Sequence, residues 1–296
     1  MILYVEQFHV AGIQNKIAET MKKDDITRIE CEVPMQEFPE KIKKLIGNEP
    51  YKLDDVGMSD STVILFRDRI LKIQTVSEES ENEHNMMEWL QGRLPVPKVL
   101  GFDRQGDKNY LLMSKVPGEM ACAERFMQNP EVLVARLAEA MKMLWETDIS
   151  ECPYVCNLDK KLEMAEYAVK HHLVDMENVE PDTFGENGFR DPEHLLDWLK
   201  ANRPEEDLVL SHGDFCLPNV FLSEESISGF IDLGKTGIAD RWQDISLCYR
   251  SLRSNAAGRY GGKVQKEFHS EILFEKLGIK PDWEKIRYYI LLDELF

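Results

Sequence analysis

The stretch from Leu208 to Asp240 reads LVLSHGDFCLPNVFLSEESISGFIDLGKTGIAD. Three short apolar runs lie in it, Leu208–Leu210, Val220–Leu222 and Gly229–Leu233. Each has the length of a buried strand and ends in polar or glycine-containing punctuation. Asp214 and Asn219 stand between the runs, and Asp232 near the end of the third. Strands joined by tight turns would fold these side chains into one small volume. Two carboxylates and an amide there make an oxygen-rich set, which Mg²⁺ prefers over softer metals. Asp, Asn and Gly also dominate ordinary turns for local reasons, so the three positions need support from the rest of the chain.

That support begins with their order. His212-Gly213-Asp214, then Asn219, then a strand and Ile231-Asp232-Leu233-Gly234 match the catalytic loop and metal-binding Asp of kinase-type phosphotransferases in spacing. The H-G-D form, with I-D-L-G where protein kinases carry D-F-G, is similar to the aminoglycoside phosphotransferase branch. No H-R-D, D-F-G or A-P-E sequence and no Walker A loop is present.

Working outward, Tyr51–Val56, Thr62–Phe66 and Ile70–Gln74 read as three antiparallel strands, split by 57–61 and 67–69. Lys72 lies inside the third, flanked by Leu71 and Ile73. The segment Glu78–Gly92 reads as a strong helix, with Glu83, Met86, Met87 and Leu90 on one side. A glutamate on an apolar stripe requires a cationic partner, because an unpaired buried charge is costly. Lys72 is the candidate partner for Glu83, and Glu79, one turn earlier on the same face, is the rival. Strands at Lys98–Phe102 and Tyr110–Ser114 follow Pro95-Val96-Pro97, and Pro117-Gly118 then breaks the chain. Before the first strand, Phe38–Gly47 reads as an amphipathic helix. Beyond Gly118 the reading is helical, at Pro130–Thr147, Asp159–His172, Pro192–Asn202, Ile245–Arg253, Gln265–Leu277 and Asp282–Phe296.

Composition fits this plan. The 296 residues are 43% hydrophobic, enough for a sizeable core in one or two domains. A net charge of −18 makes nucleic acid and anionic membrane poor partners and a cationic substrate a better one. The six cysteines form no C-x-x-C pair, which reads as reduced thiols. No signal peptide is evident at Met1–Val10 and no run reaches the ~20 apolar residues of a membrane span, so a cytoplasmic protein is expected.

From about Lys41 to Phe296 the chain resembles the aminoglycoside 3'-phosphotransferases. The resemblance rests on Gly57-Met58-Ser59, Leu71-Lys72, Glu83 with Met86-Met87, Leu94–Leu100, Leu112-Met113-Ser114, the stretch quoted above, and Lys280–Ile286 with the last nine residues. It implies a bilobal, protein-kinase-like α+β fold. Residues 1–40 are an extension of unknown role, 41–117 a sheet-rich nucleotide lobe, and 118–296 a helical catalytic and substrate lobe. ATP (GTP is not excluded) and Mg²⁺ bind between the lobes.

The same resemblance assigns roles. Lys72, held by Glu83, steadies the α- and β-phosphates, and Met58 and Ser59 close over them. Met113 lines the adenine pocket, with Ser114 and Val116 offering backbone hydrogen bonds. Asn219 and Asp232 hold Mg²⁺, and Asp214 accepts or orients the attacking hydroxyl. Glu177, Glu180, Asp293, Glu294 and the Phe296 carboxylate pair with the ammonium groups of the acceptor, and the 3'-hydroxyl of a kanamycin-like drug is the expected target. A monomer or weak dimer is expected. The chain also departs from the family pattern: Leu217 replaces an Asp, Ser254 and Asn255 an acidic pair, Lys235 an Arg, and Ile70 an adenine-stacking aromatic. The departures keep open a kinase for a sugar or amino alcohol, and further off a nucleotide-binding pseudokinase.

Overall fold

The structure is a computed structural model that describes residues 38–54, 61–186 and 188–296. Helix α1 (Glu40–Ile46) comes first, followed by strands β1 (Lys52–Asp54), β2 (Thr62–Leu65) and β3 (Arg69–Thr75). Helix α2 (Glu78–Leu90) separates these from β4 (Val99–Gln105) and β5 (Lys108–Ser114). The five strands form one antiparallel sheet in the order β1-β2-β3-β5-β4.

Alternation along β5 decides how this sheet is covered. Its side chains are buried from Asn109 to Met113, as befits a strand with a helix on each face. Tyr110 and Leu112 join Phe38, Ile42 and Ile46 beneath α1. Leu111 and Met113 join Met86, Met87 and Leu90 of α2. The β3–β5 register sets Lys72 opposite Leu111 and Ile70 opposite Met113, so both β3 side chains share the α2 face.

The α2 helix begins where its sequence requires. Ser77 Oγ accepts from Ser80 N–H at 3.1 Å, and Ser80 Oγ accepts from Ser77 N–H at 2.9 Å. This reciprocal cap satisfies two otherwise orphaned amides, and Glu78, Glu79 and Glu81 complement the positive end of the helix.

After β6 (Glu119–Met120) come α3 (Glu124–Met127), α4 (Pro130–Trp145), α5 (Leu158–Lys170) and α6 (Pro192–Ala201). The strands β7 (Leu208–Ser211), β8 (Val220–Leu222), β9 (Ile227–Phe230) and β10 (Gly237–Asp240) form two small antiparallel sheets, β10-β7 and β6-β8-β9. Helices α7 (Arg241–Ala256), α8 (Ile272–Leu277) and α9 (Trp283–Asp293) close the chain. Leu137, Met141, Phe215, Leu217, Phe230 and Ile245 belong to the same core cluster as the α2 methionines, so one core runs from the large sheet into the helices. A second cluster joins α5, α6 and α9.

Two sequence expectations change, and one strand is new. The helix expected over Gln265–Leu277 is confined to Ile272–Leu277, because Gln265 N–H bonds back to Ala256 O and turns the chain first. The helix expected from Ile245 begins at Arg241, where Asp240 caps it by accepting from Trp242 N–H. Strand β10 was not foreseen; its four residues gain strand character only by pairing with β7. Among the described residues, no helix is long and apolar enough to cross a membrane.

Candidate active site

The site forms where the β7–β8 loop, the end of β9 and the α2 face of β3 meet. Gly213 has φ of +85°, and a Cβ there would fall 2.0 Å from Lys235 O, so only glycine lets the His212–Asp214 loop pass under Lys235. Asp244, fully buried in α7, accepts from Ser211 Oγ at 2.9 Å, His212 N–H at 2.8 Å and Gly213 N–H at 3.0 Å. Gln243 Nε2 donates to Gly213 O at 2.7 Å. Two adjacent α7 side chains thus fix the backbone that carries Asp214.

His212 is buried as well, and its two ring nitrogens reach two different segments. Its Nδ1 lies 3.3 Å from the Asp214 N–H nitrogen, and its Nε2 3.0 Å from Ile231 O. His212 therefore ties the Asp214 loop to the segment that carries Asp232, and it is structural.

Asp214 presents a carboxylate held at both oxygens. Cys216 Sγ lies 3.0 Å from Oδ1, and Asn219 Nδ2 lies 2.9 Å from Oδ2 and 2.9 Å from the Asp214 carbonyl. Since Nδ2 is committed to Asp214, the Asn219 carbonyl oxygen is left as a ligand. Asp232 follows β9 in the left-handed region, φ 60° and ψ 60°, a conformation uncommon outside glycine and best tolerated by Asn and Asp. Strained backbone of this kind concentrates at functional sites.

Lys72 meets both acids. Its Nζ lies 3.0 Å and 2.8 Å from the two Glu83 oxygens and 3.1 Å from Asp232 Oδ1. Glu83 rather than Glu79 is the helix partner. Burial opposes the Lys72 charge, but Asp232 and Glu83 outweigh it and hold the ammonium above its usual pKa. Burial likewise pushes the Glu83 carboxyl up, with Lys72 working against the shift, while Lys72 holds Asp232 below the carboxylate range. A second tie runs from α2, where Asn82 Nδ2 donates to Gly234 O at 2.8 Å and Thr236 O at 2.9 Å.

At the end of β5, Ile70 and Met113 face each other across the strand pair on the α2 face. Ser114 N–H donates to Lys98 O at 2.9 Å, while Val116 N–H makes no backbone bond among the described residues. Ser114 can therefore offer a carbonyl and Val116 an amide. Met58 and Ser59 lie outside the described residues.

The remaining candidate acids divide. Asp293 and Glu294, at the end of α9, both pair with Arg250 of α7, Glu294 Oε1 at 3.3 Å. Glu294 Oε2 accepts from Glu180 N–H at 2.8 Å, which brings Glu180 into the group. Burial raises the Glu294 carboxyl to about 7. Glu177 stands apart and exposed, and its N–H donates to Asp175 Oδ1 at 3.0 Å. The Phe296 ring lies 5.7 Å from Lys161 Nζ and 5.9 Å from Lys235 Nζ. Burial works against the Lys235 charge, but Asp293 and Asp214 hold its pKa above the ordinary value. Leu217 is fully buried in the core, its N–H donating to Ser251 Oγ at 3.1 Å, so an aspartate at 217 in this backbone would sit among apolar side chains.

Asp244, Gln243, Asn82 and Arg250 went unnoticed in the sequence. One signal was available, since Asp244 adjoins Ile245 and Leu247 in α7 much as Glu83 interrupts the stripe of α2.

Residues 52–289 match the model of the phosphotransferase enzyme family. An aminoglycoside 3'-phosphotransferase of Enterococcus faecalis is 43% identical over 263 residues, covering 87% of this chain and 90% of the relative. One from Staphylococcus aureus is 42% identical over 259 residues, covering 86% and 93%. Among solved structures, an aminoglycoside 3'-phosphotransferase of type VIII superposes with a TM-score of 0.71 at 27% identity, over 86% of this chain and 98% of that one. An aminoglycoside phosphotransferase of Streptomyces rimosus superposes with a TM-score of 0.74 at 25% identity, over 86% and 96%. The Streptomyces protein has also been solved with ADP and streptomycin.

Proposed function

This chain belongs to the phosphotransferase enzyme family, in its aminoglycoside 3'-phosphotransferase branch, and from that premise we propose the work of each side chain. The fold is the bilobal, protein-kinase-like α+β fold, and the reaction moves the γ-phosphate of ATP to an aminoglycoside hydroxyl, taken here as the 3'-hydroxyl. The observation that carries the assignment of roles is the convergence of two side-chain groups, Lys72 with Glu83 and Asp232, and Asp214 with Asn219, joined where Ile231 N–H donates to Asn219 O at 3.0 Å. Residues 41–117 act as the nucleotide lobe, on which Phe38 also packs, and 118–296 as the catalytic and acceptor lobe.

The donor set suits Mg²⁺. The Asn219 carbonyl oxygen and the Asp232 carboxylate are hard oxygen ligands, with no thiolate or imidazole among them. Bound there, the ion would neutralise charge on the transferring phosphate. Lys72, kept charged and aimed by Glu83, pairs with the α- and β-phosphates. Ile70 and Met113 form apolar walls for the adenine, and the Ser114 carbonyl and Val116 N–H meet its polar edge. Asp214, oriented through Oδ1 by Cys216 and through Oδ2 by Asn219, takes the proton of the acceptor hydroxyl or directs its lone pair in line with the phosphate. Positioning and charge neutralisation supply most of the acceleration in such a reaction.

At the acceptor end, Glu180, Asp293 and Glu294 offer carboxylates to the drug's ammonium groups, and Glu177 a further one from the rim. The ATP requirement supports a cytoplasmic location, and the net charge of −18 supports action without a nucleic-acid or anionic membrane partner, as a monomer or weak dimer. A phosphate-transfer panel tests the reading, with kanamycin, its 3'-deoxy analogue, amino sugars and amino alcohols as acceptors. Transfer to kanamycin and none to the 3'-deoxy analogue is expected. Efficient transfer to an amino sugar or amino alcohol, with none to any aminoglycoside at millimolar concentration, would replace the drug by a different small alcohol.

A further inference from the structure

The reading of Glu180 as an acceptor acid leads to a neighbour that the reaction itself does not use. We propose that Arg259 is a specificity-determining residue, an internal cation seated on Glu180 that an acceptor ammonium must displace in order to bind. The inference rests on the acceptor role of Glu180.

Charges alternate inward from the surface. Arg259 Nη1 lies 2.6 Å from Glu180 Oε2, and Glu180 N–H meets Glu294. Glu294 shares Arg250 with Asp293, and Asp293 in turn bears on Lys235 beside Asp214. Arg250 is a fixed part of this floor, with 20% of its side chain exposed and the Glu294 side chain beneath it 4% exposed. Arg259 differs in lying at the rim, 41% exposed over a Glu180 side chain that is 22% exposed. Water reaches this pair, so a soluble ammonium can exchange for the guanidinium without opening the core.

The backbone holds Arg259 in place beforehand. Arg259 N–H donates to Ser254 O and Gly258 N–H to Asn255 O, both at 3.0 Å, and Gln265 N–H closes the loop on Ala256 O at 2.8 Å. Gly258 has φ of +69°, and a Cβ there would stand 2.8 Å from Gly262 O, so the tight path that delivers Arg259 depends on glycine. The Tyr260 side chain hydrogen-bonds Ser254. Ser254 and Asn255 are the positions where the family pattern has acids. In this chain they anchor a loop that presents a cation instead, so the acceptor end both lacks two carboxylates and carries a competitor on a third.

An acceptor with several ammonium groups can displace Arg259 and compensate at Asp293 and Glu294, whereas one with a single amine cannot. Arg259 thus discriminates in favour of polycationic acceptors.

The test uses the full-length protein and four variants: Arg259→Gln, Arg259→Lys, Glu180→Gln and the Arg259→Gln/Glu180→Gln pair. Kanamycin KM and kcat are measured by coupled assay, kanamycin affinity by calorimetry without nucleotide, and the same constants for a monoamine sugar. Arg259→Gln should lower kanamycin KM and Kd roughly two- to fivefold, the range of a partly exposed ion pair, with kcat near wild type. Arg259→Lys should behave like wild type, and the monoamine sugar should gain at least as much as kanamycin. Glu180→Gln should raise KM and abolish the effect of the Arg259 change. If Glu180→Gln leaves KM unchanged, the acceptor role of Glu180 fails and the inference with it. If Glu180→Gln raises KM but Arg259→Gln leaves it unchanged or raises it, the displacement idea alone is overturned.

Discussion

Lys72 Nζ lies 3.1 Å from Asp232 Oδ1, although 160 residues separate the two along the chain. The contact joins the sheet that would carry ATP to the segment that would hold its metal. It makes one ammonium answer to two carboxylates, Glu83 behind it and Asp232 in front. With nucleotide bound as proposed, phosphate oxygens and the metal would divide these charges between them, and the contact would mark the place the nucleotide takes.

The Lys72–Glu83 pair should matter to the fold as well as to ATP. Only 3% of the Glu83 side chain is exposed, and removing one partner of a buried pair leaves an uncompensated charge. Lys72→Ala should destabilise the protein by about 3–5 kcal/mol and weaken ATP binding. The double change Lys72→Met with Glu83→Gln should recover much of the stability and none of the ATP affinity. Urea unfolding and nucleotide titration distinguish the two effects.

Asp214→Asn should reduce kcat by roughly 10²–10⁴-fold while leaving the fold and ATP affinity near wild type, because it removes a proton acceptor and keeps the shape. Steady-state kinetics with kanamycin check this. More than about a tenth of the activity retained would remove Asp214 from the chemical step.

Asp232→Ala should weaken Mg²⁺-dependent nucleotide binding far more than Asp159→Ala. Asp159 is a fair control, since its side chain is 69% exposed and pairs with Arg203 at the surface. Calorimetry with ATP, with and without Mg²⁺, provides the comparison, and equal effects would count against Asp232 as a ligand.

Acceptor binding should depend on pH through Glu294, whose carboxyl burial raises to about 7. Below that value the group is largely protonated and neutral, and above it a carboxylate is available to an ammonium. Kanamycin KM should therefore fall between pH 6 and pH 8, and the fall should be reduced in Glu294→Gln. Stability should move the opposite way. Between its ordinary range and about 7 the folded state holds a proton that the unfolded chain has lost. The contribution of Glu294 is thus complete at low pH and disappears as pH rises through that window. Thermal unfolding of wild type against Glu294→Gln measures it.

Cys216, whose thiol lies 3.0 Å from Asp214 Oδ1, should report on occupancy of the site. Burial, and then Asp214 beside it, push its pKa well up, so little thiolate is present near neutrality. Modification by a bulky thiol reagent should be slow, accelerate with pH, abolish activity, and be slowed by MgATP with drug. Complete modification of Cys216 with activity intact would show that the loop lies away from the reaction.

The sequence by itself determined whatever short-range periodicity and spacing encode. The alternation around Lys72, the apolar stripe interrupted by Glu83, and the H-G-D-x-x-x-x-N and I-D-L-G order led to the fold, to the reaction class, and to the residues that the structure pairs as Lys72 with Glu83 and Asp232 and as Asp214 with Asn219. Those features follow from rules of period two and 3.6 and from the cost of a buried charge. Tertiary structure alone decided the rest. Asp244 braces Ser211, His212 and Gly213 from more than 30 positions further on, and Gly237–Asp240 is a strand only because β7 lies beside it. Leu217 faces the core although the family pattern suggested the acceptor. Whether Glu180, Asp293 and Glu294 are free or already paired depended on where α7 and its following loop place Arg250 and Arg259. An ion pair is made by distance in space, and no local repeat in the chain records which distant cation a packed helix will bring to a given carboxylate.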